Sequence, residues 1–264
     1  TTASNNTAIG HDALTANTEG HSNTSVGMNS LKDNTTGDSN TAVGRECLDN
    51  NTTANNNTAI GHMAAFTNTT GADNTATGYQ ALYLNTTGAN NTAVGKGALY
   101  ANTTANDNVS VGEQSMKANT TGAKNVAVGQ NALQANTTAS YNTAVGHTAL
   151  YSNTTGASNT GLGHQALIYN TTGYNNVAVG KDALVANTTG QSLTASGFYA
   201  LKANTTGSYN VAIGRSALEA NTTASNNVGV GSQALQNTTE GANNTAVGHA
   251  ALWANTTAAN NTGI

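Results

Sequence analysis

Histidine is the residue whose spacing in this chain comes closest to a metal-binding pattern. Five of the six histidines directly follow a glycine that recurs every 17 residues, and His147 and His164 do so in neighbouring repeats. Imidazole is the commonest metal ligand in proteins, so a column of histidines could bind a transition metal. The same place holds Lys96, Glu113 or Phe198 in other repeats, and no column of carboxylates accompanies the histidines, although ligating imidazoles are usually oriented by such groups. We therefore expect a tolerant exposed position and no metal site.

The triplet Asn-Thr-Thr has the pattern of an N-glycosylation acceptor. It occurs in fourteen copies, which include Asn34 and Asn51. If each copy lies on a successive rung of a stacked structure, glycans ~4.8 Å apart would crowd one another. Stacked identical amides can instead form hydrogen-bonded ladders. The pattern therefore predicts a structural column of asparagines.

Other chemistry has no recurring place in the sequence. Paired carboxylates, a phosphate-binding glycine loop and a Ser-His-Asp set are absent, so we expect no enzyme activity and no cofactor. The single cysteine, Cys47, rules out an intrachain disulfide and stands where other repeats carry alanine or serine, so it is predicted to be a small core residue. A net charge of −4 with scattered basic residues argues against nucleic acid as a partner, and no apolar run is long enough to insert into a membrane.

The elements that position these residues are copies of one repeat. A glycine returns every 17 residues from Gly10, Gly27, Gly44 and Gly61 through to Gly248, within the consensus N-T-A-V-G-x-x-A-L-x-A-N-T-T-G-x-N. Near Asn237 one residue is lost before the Asn-Thr-Thr triplet and one, Glu240, is gained after it. Such regularity predicts that one repeat is one turn of a parallel β-solenoid. Residues 1–264 are expected to be a single repeat array of fifteen full coils and a partial one, without separate domains.

Repeat positions are numbered here from the asparagine that opens the strand, so Asn6 and Asn40 are at position 1. Positions 2 and 4 carry Thr or Val and Val or Ile, as at Val43, and share one face of a strand because side chains alternate with period two. We expect that face to point into the coil. Position 3 is always Ala, Ser or Gly, and it is predicted to be pressed against a neighbouring subunit.

The rest of the repeat is predicted to close the coil. Leucine at position 9, as at Leu14 and Leu82, should pack against the valines. Position 9 follows an alanine, and the pattern leaves open whether this second arm is a short strand or a single helical turn. Position 15 is Gly or Ala, which indicates that its turn requires a small residue more than a left-handed backbone.

The segments Asn6-Thr7-Ala8-Ile9-Gly10, Asn125-Val126-Ala127-Val128-Gly129 and Asn210-Val211-Ala212-Ile213-Gly214 resemble the repeat of trimeric autotransporter adhesin heads (YadA-like). The longer unit also resembles repeats of bacterial surface and phage tail-fibre proteins. The resemblance implies a left-handed parallel β-roll that is trimeric, located on a cell or virion surface, and used in adhesion. The adhesin-head repeat is shorter, about 14 residues, so the second arm of this coil carries extra residues.

Two function classes follow from these patterns. The first is an extracellular adhesive fibre segment, trimeric, whose variable position 10 would contact a carbohydrate or a surface protein through Tyr83, Tyr100, Tyr151 and Trp253. The alternative is a filament subunit that stacks end to end through uncapped coils. An ice-binding protein is a more distant alternative. Ice-binding solenoids present flat faces with outward Thr-x-Thr rows, whereas the two threonines of this repeat are adjacent and lie in a turn.

Overall fold

The computed structural model describes residues 2–264, which fold into a parallel β-solenoid with one short strand in each turn. The sixteen strands follow chain order in the sheet. They are β1 (Thr7–Ile9), β2 (Thr24–Val26), β3 (Thr41–Val43), β4 (Thr58–Ile60), β5 (Thr75–Thr77), β6 (Thr92–Val94), β7 (Val109–Val111), β8 (Val126–Val128), β9 (Thr143–Val145), β10 (Thr160–Leu162), β11 (Val177–Val179), β12 (Thr194–Ser196), β13 (Val211–Ile213), β14 (Val228–Val230), β15 (Thr245–Val247) and β16 (Thr262–Gly263). The all-β class and the 17-residue turn are therefore confirmed.

The chain groups into two compact units, Thr1–Asn131 and Ala132–Ile264. The first contains β1 to β8 and the second β9 to β16. In both units each strand residue pairs with the residue 17 positions further on, as Thr41 does with Thr58. Within each unit the coils therefore stack in one register.

The second arm of the coil is neither a strand nor a helical turn. Leucine at position 9 has a positive φ in coil after coil, for example 51° at Leu99, and the residues at positions 7 and 17 are left-handed as well. A left-handed backbone costs an L-residue roughly 1–2 kcal/mol. This cost is offset by regular bonding between coils, because the Leu99 N–H donates to Ser115 O at 3.1 Å and the Ala101 N–H to Lys117 O at 3.0 Å, and by complete burial of the leucine side chain.

The core is thin, and the strand faces the opposite way from the one that the sequence predicts. Ala42 at position 3 is fully buried, whereas Val43 at position 4 is 37 % exposed. The prediction that position 3 contacts a neighbouring subunit while Val43 points inward is therefore wrong. The reason is visible at Gly161, also at position 3, where an added Cβ would lie 3.3 Å from the Leu150 side chain of the preceding coil. The leucine fills the interior so completely that only a small residue fits beneath the strand.

The two glycine positions have different requirements. At position 5 the backbone has a φ near +132°, as at Gly61, and a Cβ added there would lie 2.7 Å from Gly78 O. Conformation and space both exclude a side chain. Position 15 has no positive φ and is alanine in Ala54, which is buried. The prediction that this turn requires a small residue is confirmed.

Candidate functional site

Two columns of asparagine form the polar interior and are structural. At position 12, the Asn51 Nδ2 donates to Asn34 Oδ1 at 2.8 Å and to Ala54 O at 3.1 Å. At position 1, the N–H of Asn40 donates to the side-chain oxygen of Asn23 at 2.9 Å. All of these asparagines are fully buried. The structural ladder is therefore confirmed at Asn34 and Asn51, and the folded coil offers no access to the amide nitrogens of these two residues, which a glycan would need.

The position 12 ladder has one break, in the coil that contains Asn237. No residue is lost or gained there: Thr238 takes the asparagine slot, is fully buried, and donates to Asn255 O at 3.1 Å. The apparent insertion and deletion in the sequence are thus substitutions within an unchanged turn. Without an asparagine at this rung, Asn221 Oδ1 is a buried acceptor that has no hydrogen-bond partner.

Cys47 lies in the core, as predicted. It is fully buried at position 8, and its thiol donates to Ala59 O at 3.1 Å. Burial raises the pKa of the Cys47 thiol to about 12, so the nucleophilic thiolate is disfavoured.

The histidines at position 6 are exposed except for His62, which is half-buried. The rings of His147 and His164 stack with their centroids 5.4 Å apart, while His62 lies 3.8 Å from Glu46 Oε2. Within residues 2–264, no group of three or more His, Cys, Asp or Glu side chains is arranged to bind a metal ion.

The outward strand face is a surface that every coil presents. It consists of positions 2 and 4, which carry only Thr, Val, Ile, Leu or Ser. Ile60 and Val43 are among its exposed apolar residues. Sequence reasoning missed this surface, because alternation shows which side chains share a face but not which face points inward.

The predicted recognition residues at position 10 fall into two groups. Tyr83 and Tyr100 stack at 5.1 Å, and Phe66 continues the column at 5.4 Å. Tyr151 and Trp253 have no aromatic residue at position 10 of the adjacent coils. The Trp253 indole donates to Gln236 Oε1 at 2.8 Å. Tyr151 and Trp253 are six repeats apart, which at ~4.8 Å per coil is about 29 Å. Only the first group can contact one small ligand together.

Concave features lie on the side of the coil that carries positions 6 to 11. In the second unit a groove of about 480 Å³ runs over positions 10 and 11, and its lining includes Ala186, Ala203 and Ala220 together with Lys202 and Glu219. A smaller notch lies over Gly97 in the first unit. The only sequence signal for this notch is that Gly97 is the single glycine at position 7.

No helix within the described residues is long and apolar enough to cross a membrane. No protein-family model matches the chain, and no curated protein matches it either.

Proposed function

We propose that this chain is a non-enzymatic structural and adhesive fibre segment, located on a cell or virion surface, whose copies associate through the outward strand face. The observation that carries the proposal is the unbroken row of uncharged, mostly β-branched side chains on that face. The surrounding coil is held by backbone bonds and buried amide ladders that require no ligand.

The uncharged composition of the face, more than its size, favours association. Two outward side chains per strand, on strands ~4.8 Å apart, cover roughly 30 Å² of sheet. The eight strands of the first unit therefore present roughly 250 Å² of uncharged surface before the flanking columns are included. This area is about a third of the roughly 800 Å² that each partner buries in a stable interface, so the flanking columns must take part in the contact.

A second copy of this chain is the partner that best fits the face. Its side chains repeat with the pitch of the strands, and another copy presents the same pitch, so that rows can interdigitate along the stack. No residue at positions 2 or 4 is charged, so identical faces do not repel each other. A homotrimer is the state that the resemblance to adhesin heads implies.

Light scattering coupled to size-exclusion chromatography tests this proposal. The test variant carries Val26→Lys, Val43→Lys and Ile60→Lys, which place three charges on the face. Its matched control carries lysine at Thr36, Thr53 and Thr70, which occupy the exposed position 14 of the same coils.

We expect a defined trimer for the wild type and the control, and a monomer for the face variant, because burying unpaired charges is costly. A wild type that is monomeric at all concentrations would contradict the proposal. Open-ended fibres that lengthen with concentration would instead support the filament alternative.

Ice binding is a second candidate, supported by the direction of the strand threonines. Thr24, Thr41 and Thr58 share the outward face with β-branched residues at position 4. The array has spacings of ~4.8 Å across strands and about 6.6 Å along them. Thermal hysteresis of the wild type and of Thr41→Lys separates this candidate from self-association. A wild type without hysteresis, or a face that is buried in a trimer, would exclude it.

A further inference from the structure

The notch over Gly97 is a built concave site in the first unit. It has a volume of about 300 Å³ and is lined by residues from three successive coils. Tyr79 and Lys96 at position 6 form one side, and Tyr100 and Lys117 at position 10 form the other. Gln80 and Gln114, at position 7 of the coils before and after, close the two ends.

The notch exists because one side chain is absent. Gly97 has a φ of +63°, close to the 54° of Gln80 and the 56° of Gln114, which occupy the same position in the adjacent coils. A Cβ added to Gly97 would meet only Gln114 Cγ, at 3.9 Å. The space therefore accepts a side chain here, and the adjacent coils show that residues with a side chain adopt this backbone, at the cost of a left-handed φ. The glycine avoids that cost and also makes room above the coil.

The walls of the notch combine positive charge with aromatic rings. Lys96 and Lys117 are two of the eight basic residues of a chain whose net charge is −4. Lys96 Nζ lies 3.5 Å from Glu113 Oε1, and both side chains are largely exposed, at 61 % and 44 %. Such an exposed pair is weak, so the Lys96 ammonium remains available to an anionic ligand.

The ring of Tyr100 is held in place before any ligand arrives. Tyr100 stacks on Tyr83 with an interplanar angle of 12°, and Tyr83 stacks on Phe66 with an angle of 9°. The next residue in this column is Lys117 and not another ring. Ordered aromatic side chains lower the entropy cost of binding.

We propose that this notch binds an acidic saccharide, with a sugar ring against the tyrosines and its carboxylate between Lys96 and Lys117. Carboxylates form charge-assisted hydrogen bonds with ammonium groups, and the glutamine amides can bond sugar hydroxyls. The volume lies at the lower end of the range of small-molecule sites, which suits one or two sugar rings. A bare inorganic anion would leave the tyrosines and the amides without a role.

This inference rests on the adhesive part of the proposed function and supplies a ligand class for it. The notch lies at positions 6, 7 and 10, whereas the proposed self-association uses positions 2 and 4. Ligand binding and oligomeric state can therefore be measured on the same samples and can fail separately.

Isothermal titration of the full chain with trigalacturonate tests the site. The fully methyl-esterified trisaccharide is the neutral control, and sodium sulfate is the anion control. Gly97→Gln fills the notch with a residue that the adjacent coils already carry at this position. Lys32→Gln, at position 10 of the second coil and outside the notch, is the matched control for Lys117→Gln.

We expect saturable binding of the acid to the wild type and to Lys32→Gln. Affinity should fall at least tenfold for Lys117→Gln and for the methyl ester, because one hydrogen bond to a charged group accounts for about a factor of ten or more. Gly97→Gln should abolish binding while it leaves the far-UV circular dichroism and the oligomeric state unchanged. Glu113→Gln should strengthen binding, because it removes the carboxylate that competes for Lys96.

Three results would overturn the proposal. One is the absence of saturable binding up to on the order of 10 mM. Another is equal affinity of Gly97→Gln and the wild type. The third is equal binding of sulfate and trigalacturonate, which would reduce the notch to a nonspecific anion site. If the wild type is also monomeric, the proposed function fails independently of this result.

Discussion

Asn102 and Thr238 occupy position 12 of two coils, and exchanging their residue types should change stability in opposite directions. Asn102 Nδ2 donates to Asn85 Oδ1 at 2.8 Å and to Ala105 O at 3.1 Å. Threonine in this slot bonds the following coil through its hydroxyl, as Thr238 does, but leaves the amide oxygen of the preceding coil without a donor.

The magnitude follows from that single buried acceptor. An unsatisfied buried hydrogen-bonding group costs about 1–3 kcal/mol. Asn102→Thr should therefore lower the free energy of unfolding by about 1–3 kcal/mol, since it leaves Asn85 Oδ1 unpaired. Thr238→Asn should raise the free energy of unfolding by a similar amount, because its amide can donate to Asn221 Oδ1. Nearly identical chemistry is thus tested with both signs.

Equilibrium unfolding in urea, followed by far-UV circular dichroism, measures both effects. Thr104→Ala is the control, because Thr104 lies at the exposed position 14 of the same coil and should change the free energy by less than about 0.5 kcal/mol. If both ladder variants also remain within about 0.5 kcal/mol of the wild type, the ladder does not stabilise the fold and the reasoning is refuted.

Three further predictions concern single positions. Gly61→Ala should lower the melting temperature far more than Gly37→Ala, because Gly61 has a φ of +132°, which residues with a side chain rarely adopt, whereas position 15 has no positive φ and already carries alanine in other coils; equal shifts in calorimetry would contradict this distinction. Burial raises the pKa of the Asp49 carboxyl above its ordinary value. The stability that the neutral carboxyl contributes is therefore greatest below the pKa that this group has in the unfolded chain, and it is lost as the pH rises through the pKa that the group has in the folded chain. Asp49→Asn should therefore stabilise the fold at neutral pH and flatten its acid pH dependence in urea titrations, and an unchanged pH profile would count against it. Cys47, with a pKa of about 12, should react with an aromatic disulfide reagent only when denaturant is present, and rapid reaction in buffer would show that the coil opens locally.

Repeat length, leucine burial and the small turn residue were all predictable from the sequence, because each is a strict periodic constraint. The direction of the strand was not. Positions 2 and 4 carry larger side chains than position 3, so the sequence predicts Val43 in the interior, but the leucine of the preceding coil already fills that space. The thickness of the core depends on how closely the two arms approach each other, and no single position of the repeat encodes that distance.

The conformation of the second arm could not be predicted from the sequence either. Leucine carries no sequence signal for a left-handed backbone, which is uncommon for bulky residues. It adopts this backbone here because the N–H of Leu99 bonds the next coil. The sequence contains one signal for the notch, because Gly97 stands where the other repeats carry a side chain. The lysines and tyrosines that line the notch belong to separate coils. Only the coil register brings them together.

The amide ladders have a direction. In the position 12 column the side-chain nitrogen of each asparagine donates to the preceding coil, as Asn68 does to Asn51, and in the position 1 column the backbone N–H of Asn74 likewise donates to Asn57. A backbone cut between two coils would therefore leave one fragment with amide acceptors on its broken end and the other with matching donors. Such ends are complementary to each other and not to themselves. Split halves of one unit should thus recombine head to tail, which makes this repeat suitable for building fragments that reassemble in a defined order.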